Sequence, residues 1–293
     1  MNAPAPLDAE LLARHPLPPV GAGDKDERGS ILVIAGSREV AGAALLTALG
    51  AMRAGAGRLQ IATVTSAAMG LSVSMPEAMV RGVDEGEDGG FAPASTEALT
   101  ELAKKASVVV AGPGIRGNGS TAALAAALAE RCPRLVLDAA MLHALPQRER
   151  QLADKKEPAV LLPHAGEMAS LLGRDEVEVE ADPVGAGRRC AERYGALTLV
   201  KGVASHVVSP EGDVFRYQGG GPGLGVSGSG DTLAGIVGGL LARGGDPLSA
   251  LLWAVWCHGE AGRRLGQRVG TLGYLAREIP DEVPAILRDG GQL

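Results

Sequence analysis

Short, uninterrupted apolar runs recur along this chain, stopping at a Gly, Pro, Asp or Lys and alternating with stretches of helical composition. The first, Ile31-Leu-Val-Ile-Ala35, stops at Gly36-Ser37. A strand with no polar residue on either side must be covered on both faces, as happens in a parallel sheet between two helix layers. Ala43 to Ala54 is Ala/Leu-rich and helical in character, Gly55-Ala-Gly57 ends it, and Leu59 to Val64 is the next strand, completing one βαβ unit. The rhythm continues with helices at Ser95 to Lys105, Ser120 to Glu130, near Met141, Glu167 to Leu172 and Pro183 to Tyr194. Strands fall between them at Val108-Val-Val-Ala111, Leu135-Val-Leu-Asp138, Val160-Leu-Leu162 and Leu197 to Lys201. Such alternation predicts a three-layer α/β/α sandwich with a mostly parallel central sheet.

The pattern changes after Lys201. Ser205 to Ser209 and Val214 to Tyr217 flank Pro210-Glu-Gly-Asp213, a turn signal, which predicts an antiparallel hairpin at the edge of the sheet. Helices from Thr232 to about Arg243 and from Leu248 to about Leu265 follow. Gly numbers 43 in 293 residues and aromatics only 2%, so Ala, Val, Leu and Ile must fill the core, with close backbone approaches where only Gly fits. No linker or internal repeat divides residues 29–293, which reads as one domain. The proline-rich stretch 1–28 reads as a flexible N-terminal arm, without the apolar stretch of a signal peptide. A net charge of -6 with no basic run argues against nucleic acid, and the apolar helix at Leu248 is too short to span a membrane. Cys132, Cys190 and Cys257 stand far apart with no C-x-x-C, which suits reduced thiols and a cytoplasmic location.

Three loops following strands carry the candidate chemistry. Ser227-Gly-Ser-Gly-Asp231 opens a helix whose first N–H groups lack intrahelical partners and can hold an anion. An acid beside an anion site repels it, so Asp231 suits a base that takes a proton from a hydroxyl; it also suits a plain acidic helix start. Ala111-Gly-Pro-Gly-Ile115 sits at a strand's carboxyl end, where open α/β sheets bind ligands, or is simply a tight connection. In Leu162-Pro-His-Ala-Gly-Glu167, His164 suits donation to a ligand, while Glu167 suits a helix cap or a hydrated magnesium ion. Lys201-Gly202 would add positive charge to the same rim, or be an ordinary strand end. His258, in an apolar helix, reads as a structural histidine.

A Gly-rich anion loop with an Asp, preceded by a β-hairpin, resembles the ribokinase-like superfamily. Within it the chain resembles the ADP/ATP-dependent NAD(P)H-hydrate dehydratases from about Gly29 to Leu287. The resemblance rests on Val33-Ile-Ala-Gly-Ser37 with Ala41-Gly-Ala43, Ala54-Gly-Ala-Gly57, Gly112-Pro-Gly114, Leu137-Asp-Ala139, Pro163-His164 with Gly166-Glu167, Lys201-Gly202 and Gly228-Ser-Gly-Asp231. It implies that ADP or ATP, with Mg2+, drives dehydration of the (6S) hydrate of NADH or NADPH. It further implies that Ala43, Gly114, His164 and Asp231 contact the hydrate, that Lys201, Gly202, Val203, Ala204, Ser205, Gly228, Ser229 and Gly230 contact the nucleotide, and that Asp231 is catalytic. The implied ligands of the magnesium stay open, because the family's usual second acid is here Ala140; its usual Pro is here Ala165. A homo-oligomer is expected, and a separate NAD(P)H-hydrate epimerase chain as functional partner. Two rival readings remain: a small-molecule kinase of the same fold acting on a hydroxymethyl vitamin precursor, and a catalytically silent nucleotide-binding regulator.

Overall fold

The computed structural model describes residues 3–20, 24–145 and 149–293. Its strands are β1 (Ala5–Pro6), β2 (Ser30–Ile34), β3 (Arg58–Val64), β4 (Ala78–Val83), β5 (Val108–Ala111), β6 (Leu135–Leu137), β7 (Val160–Leu161), β8 (Leu197–Val200), β9 (Ser205–Val208) and β10 (Val214–Tyr217). They form one sheet in the order β1-β10-β9-β8-β7-β6-β5-β2-β3-β4. Only β9 runs against its neighbours β8 and β10; every other pair is parallel. In β2 the side chains of Ile31, Leu32, Val33 and Ile34 are all buried, as an apolar strand between two helix layers must be.

The packing of two helices explains the Gly and Ala content. The helix Ala41–Arg53 lies against the helix Ser229–Ala242 with their backbones nearly touching. A Cβ on Gly50 would stand 2.4 Å from the Thr232 carbonyl oxygen, and one on Gly235 2.0 Å from that of Thr47. Close-packed interiors leave no slack for those methyl groups. The N-terminus of the helix Ser229–Ala242 is thereby brought to the carboxyl ends of the parallel strands.

The sequence left β4 and the preceding helix Thr65–Ser74 unread, and it read the arm 1–28 as flexible. Residues 5–17 of the arm are packed instead, while residues 24–28 are exposed. β1 pairs with β10, so the hairpin is not the outermost part of the sheet. Asp8 caps the helix Ala9–Ala13, Leu7, Leu11, Leu12 and Leu17 are buried, and the Trp253 indole N–H donates to the His15 carbonyl at 2.8 Å. Four leucines spaced through a Pro-rich stretch cover the end of the sheet and the helix Pro247–Arg268, where leaving them in water would cost free energy. Cys132, Cys190 and Cys257 are free and buried. No helix among the described residues is long and apolar enough to cross a membrane.

Candidate active site

Because β2, β5, β6, β7 and β8 are parallel, the segments after them meet on one side of the sheet. After β5, Gly112 has φ +127 and a Cβ there would stand 1.8 Å from the Asp138 carbonyl oxygen, so only Gly fits. A Cβ on Gly114 would stand 2.6 Å from that of Ala43, and the Gly36 N–H donates to the Pro113 carbonyl at 2.8 Å. Ala43 and Gly114 are therefore neighbours.

After β6 comes Asp138, 3% exposed. Its Oδ1 accepts from the Lys201 ammonium at 2.7 Å and from the Ala139 N–H at 2.9 Å. Ala139 itself lies at φ 48, unusual for a residue with a side chain. After β7, His164 caps the helix Ala165–Leu172: its Nδ1 accepts from the Gly166 N–H at 3.0 Å, while its own backbone N–H donates to Glu167 Oε2 at 2.9 Å. An Nδ1 that accepts carries no proton, so the neutral ring has its hydrogen on Nε2 and can only donate through it. Glu167 is buried, with Oε2 3.7 Å from the Lys201 ammonium.

Asp231 lies in the first turn of the helix Ser229–Ala242, beside this network. Two carboxylates, Asp138 and Glu167, thus stand 2.7 and 3.7 Å from one ammonium, and Asp231 lies far enough away to make no ion pair with it but close enough to feel its charge. Burial first, then repulsion from Asp138, pushes the Asp231 carboxyl up to about 6, with Lys201 opposing. Burial likewise holds Asp138 above the ordinary carboxylate range against the pull of Lys201. Burial would lower Lys201, yet Asp138, Glu167 and Asp231 together hold it above the ordinary lysine value, so it stays charged.

A cavity of about 970 Å³ opens over these groups, within the size range of cofactor sites. Lys201, Gly202, Val203, Ser205, Ser229 and Gly230 are in its walls, and so is His164. Ala204, Gly228, Ala43, Gly114 and Asp231 are not in the described wall. Gly228, at φ +88, makes the turn instead: a Cβ there would stand 2.3 Å from Leu46 Cδ1. Gly230 is already helical, and a Cβ on it would stand 3.6 Å from the Lys201 ammonium.

Sequence reasoning missed His258. It lines the cavity, half-buried, with Nε2 3.1 Å from the Ser229 carbonyl oxygen and 2.9 Å from Ser229 Oγ. A carbonyl oxygen only accepts, so Nε2 carries the proton and the Ser229 hydroxyl hydrogen is left free for another acceptor. Burial lowers His258 to about 4 and keeps it neutral. Tyr217, Leu224, Val226, Leu233 and Val255 complete the apolar part of the wall, and their one sequence signal was the unassigned Gly219-Gly-Gly-Pro-Gly-Leu-Gly225 beside them. No group of three His, Cys, Asp or Glu among the described residues is placed to hold a metal ion.

A mostly parallel sheet that carries an antiparallel hairpin towards one side, with a Gly-Ser-Gly-Asp helix start packed at its strand ends, places the protein in the ribokinase-like class of α/β enzymes. A family model described as NAD(P)H-hydrate dehydratase matches residues 31–285, and the chain belongs to that family. It is 46% identical to an ADP-dependent (S)-NAD(P)H-hydrate dehydratase of Xanthomonas campestris, over 96% of this chain and 95% of the relative. It is 37% identical, over 94% of its length, to a bifunctional NAD(P)H-hydrate repair enzyme of Gloeobacter violaceus, but spans only 53% of that protein. Among solved structures, an ADP/ATP-dependent NAD(P)H-hydrate dehydratase of Bacillus subtilis, co-crystallised with ATP/Mg2+, is similar at a TM-score of 0.83 and 26% identity, covering 99% of each chain.

Proposed function

We propose that this protein dehydrates the (6S) hydrate of NADH or NADPH, with ADP or ATP as phosphoryl donor, and that Asp231 is the base. The observation that carries the reading is the Asp231 carboxyl, raised to about 6 in the first turn of a Gly-rich helix start and facing the Lys201–Asp138 pair. A base of that pKa is ionised at neutral pH and still strong enough to draw a proton from a hydroxyl. Asp231 takes the proton of the C6 hydroxyl, whose oxygen attacks the terminal phosphorus of the nucleotide. That P–O bond to AMP (from ADP) or ADP (from ATP) breaks. The ring-nitrogen lone pair then expels the oxygen as phosphate, and loss of a C5 proton restores the double bond. Overall, hydrate and ADP become NAD(P)H, AMP and inorganic phosphate.

In this reading Ala43 and Gly114 face the hydrate, and the Nε2–H of His164 donates to it. Lys201, Gly202, Val203, Ala204 and Ser205 line the nucleotide, and the N–H groups of Gly228 and Gly230 with the Ser229 hydroxyl take the charge that develops on its phosphates, the Ser229 N–H being held by the Val226 carbonyl at 3.1 Å. Magnesium, which typically keeps water and phosphate ligands and needs only one or two carboxylates, would reach the site on the nucleotide, with Asp138 and Glu167 as the nearest buried acids. It would neutralise phosphate charge. Three free, buried cysteines suit a reducing cytoplasm. Hydrated NADH should regain its near-ultraviolet absorbance when the purified protein and ADP or ATP are added together, and not with either alone. No recovery with either nucleotide overturns the proposal.

A further inference from the structure

The helix Pro247–Arg268 sends Val255, His258 and Gly259 to the wall of the active-site cavity, residues three and four apart and so on one face. Gly259 lets that face lie against the hairpin, since a Cβ there would stand 2.1 Å from the Tyr217 ring. His258 thereby reaches Ser229, the first residue of the helix Ser229–Ala242. The reaction as written above does not use this imidazole.

Ser229 is 6% exposed, yet it lies in the cavity wall. Its N–H is taken by the Val226 carbonyl at 3.1 Å, so the one donor it can offer a ligand is its hydroxyl. A serine hydroxyl rotates between donor and acceptor roles, and a lone pair turned towards a phosphate oxygen repels it. His258 removes that choice. Its Nε2–H is shared between the Ser229 carbonyl oxygen at 3.1 Å and Oγ at 2.9 Å, a three-centre arrangement common at helix ends. The other tautomer would set the Nε2 lone pair against those of the carbonyl. Oγ must therefore accept from the ring and direct its own hydrogen elsewhere, and no other residue among those described bonds to it. Burial, and then the nearby Lys201 charge, keep the ring neutral, so it supplies orientation and no charge.

We infer, building on the nucleotide reading above, that His258 is a positioning residue: it holds Ser229 Oγ as an acceptor towards the ring and so makes the hydroxyl hydrogen a donor to a phosphate oxygen of the bound nucleotide. The helix start then offers the Ser229 hydroxyl and the Gly230 N–H side by side, next to the Lys201 ammonium, which a Cβ on Gly230 would approach to 3.6 Å.

The test is a double-mutant cycle on ADP affinity, measured by calorimetry on the full chain. His258→Leu removes the donor, and His258→Asn keeps an amide too short to reach Ser229, so the cycle survives if the Leu variant does not fold. His258→Gln places an amide N–H where Nε2 stood. Losing one hydrogen bond to a charged group should weaken ADP binding about 10- to 100-fold in His258→Leu, in His258→Asn and in Ser229→Ala. Because the imidazole acts through the hydroxyl, adding either His258 change to Ser229→Ala should weaken binding no further, and His258→Gln should stay within a few-fold of the wild type. A histidine that merely packed the cavity wall would cost the same affinity with or without the Ser229 hydroxyl, and such additivity overturns the inference. So would single variants that bind ADP as the wild type does, or a Gln variant as weak as the Asn one. Those outcomes leave the nucleotide reading standing, whereas a wild type that binds neither ADP nor ATP removes both.

Discussion

Asp231 illustrates how a single residue's environment separates activity from stability. Its carboxyl sits near 6, so the rate should fall about tenfold for each pH unit below that value as the base is protonated, and level off above it. In Asp231→Asn turnover should fall by roughly 10²- to 10⁴-fold, while calorimetry still finds ADP bound; near-normal turnover would remove Asp231 from the mechanism. The same shift predicts a stability change of opposite sense. A carboxyl whose folded pKa lies above its unfolded value favours folding at low pH and loses that contribution as pH rises from about 4 through 6. At pH 8 the buried charge is therefore a burden that Asn relieves, by about 1–2 kcal/mol once the loss of a favourable acid in a helix's first turn is subtracted. At pH 4 the advantage should vanish, and urea unfolding of both proteins at the two pH values checks this. Asp231, Lys201 and His164 were legible because each follows a strand or opens a helix next to Gly. His258 was not, because its partner Ser229 is 29 residues away and nothing adjacent to a histidine in an apolar helix marks what it faces.

At the scale of elements, the Gly-Ser-Gly turn divides its labour between geometry and ligand. The sequence suggests a backbone role for both glycines, yet only Gly228 has positive φ. Gly228→Ala should therefore destabilise the fold by roughly 1–3 kcal/mol through strain and the clash with Leu46. Gly230→Val places its branch beside the Lys201 ammonium, in ordinary contact with the protein but in the path of phosphate oxygens. It should weaken ADP binding at least tenfold with little change in melting temperature; equal affinity in calorimetry would make the loop a structural turn. Most strands and helices were legible to within a few residues, since an apolar run such as Val108 to Ala111 has few alternatives to a doubly covered strand. β4 and the helix before it were not. Ala78-Met-Val-Arg-Gly-Val83 mixes a charge and a glycine into a strand with one open edge, and the small and hydroxyl residues of Thr65–Ser74 mark no apolar face. Both take their structure from β3, which no local pattern reveals.

For the whole molecule, the arm is the clearest case of structure decided by distant contacts. Burying a leucine fully is worth roughly 1.5–3 kcal/mol, against about 1–2 kcal/mol to order each residue, so four buried leucines do not by themselves order a stretch of this length, and the β1–β10 pairing and the Trp253 hydrogen bond add to them. Deleting residues 1–18 should nonetheless lower stability by a few kcal/mol, because it also uncovers β10 and strips the Trp253 partner; an unchanged urea midpoint would show that the arm merely rests on the surface. The last expectation joins fold to chemistry. A ribokinase-like enzyme that passes phosphate to an ordinary alcohol ends with a stable ester, since an alkyl phosphate has no internal electron pair to expel it. In the hydrate the phosphorylated carbon is bonded to the ring nitrogen, and its lone pair drives phosphate out once the ester forms. With hydrated NADH and ADP, chromatography should therefore find AMP, inorganic phosphate and NADH in equal amounts and no lasting phosphorylated dinucleotide. AMP without NADH, or a stable ester made faster from some other small alcohol, would assign the same base and the same anion loop to a kinase.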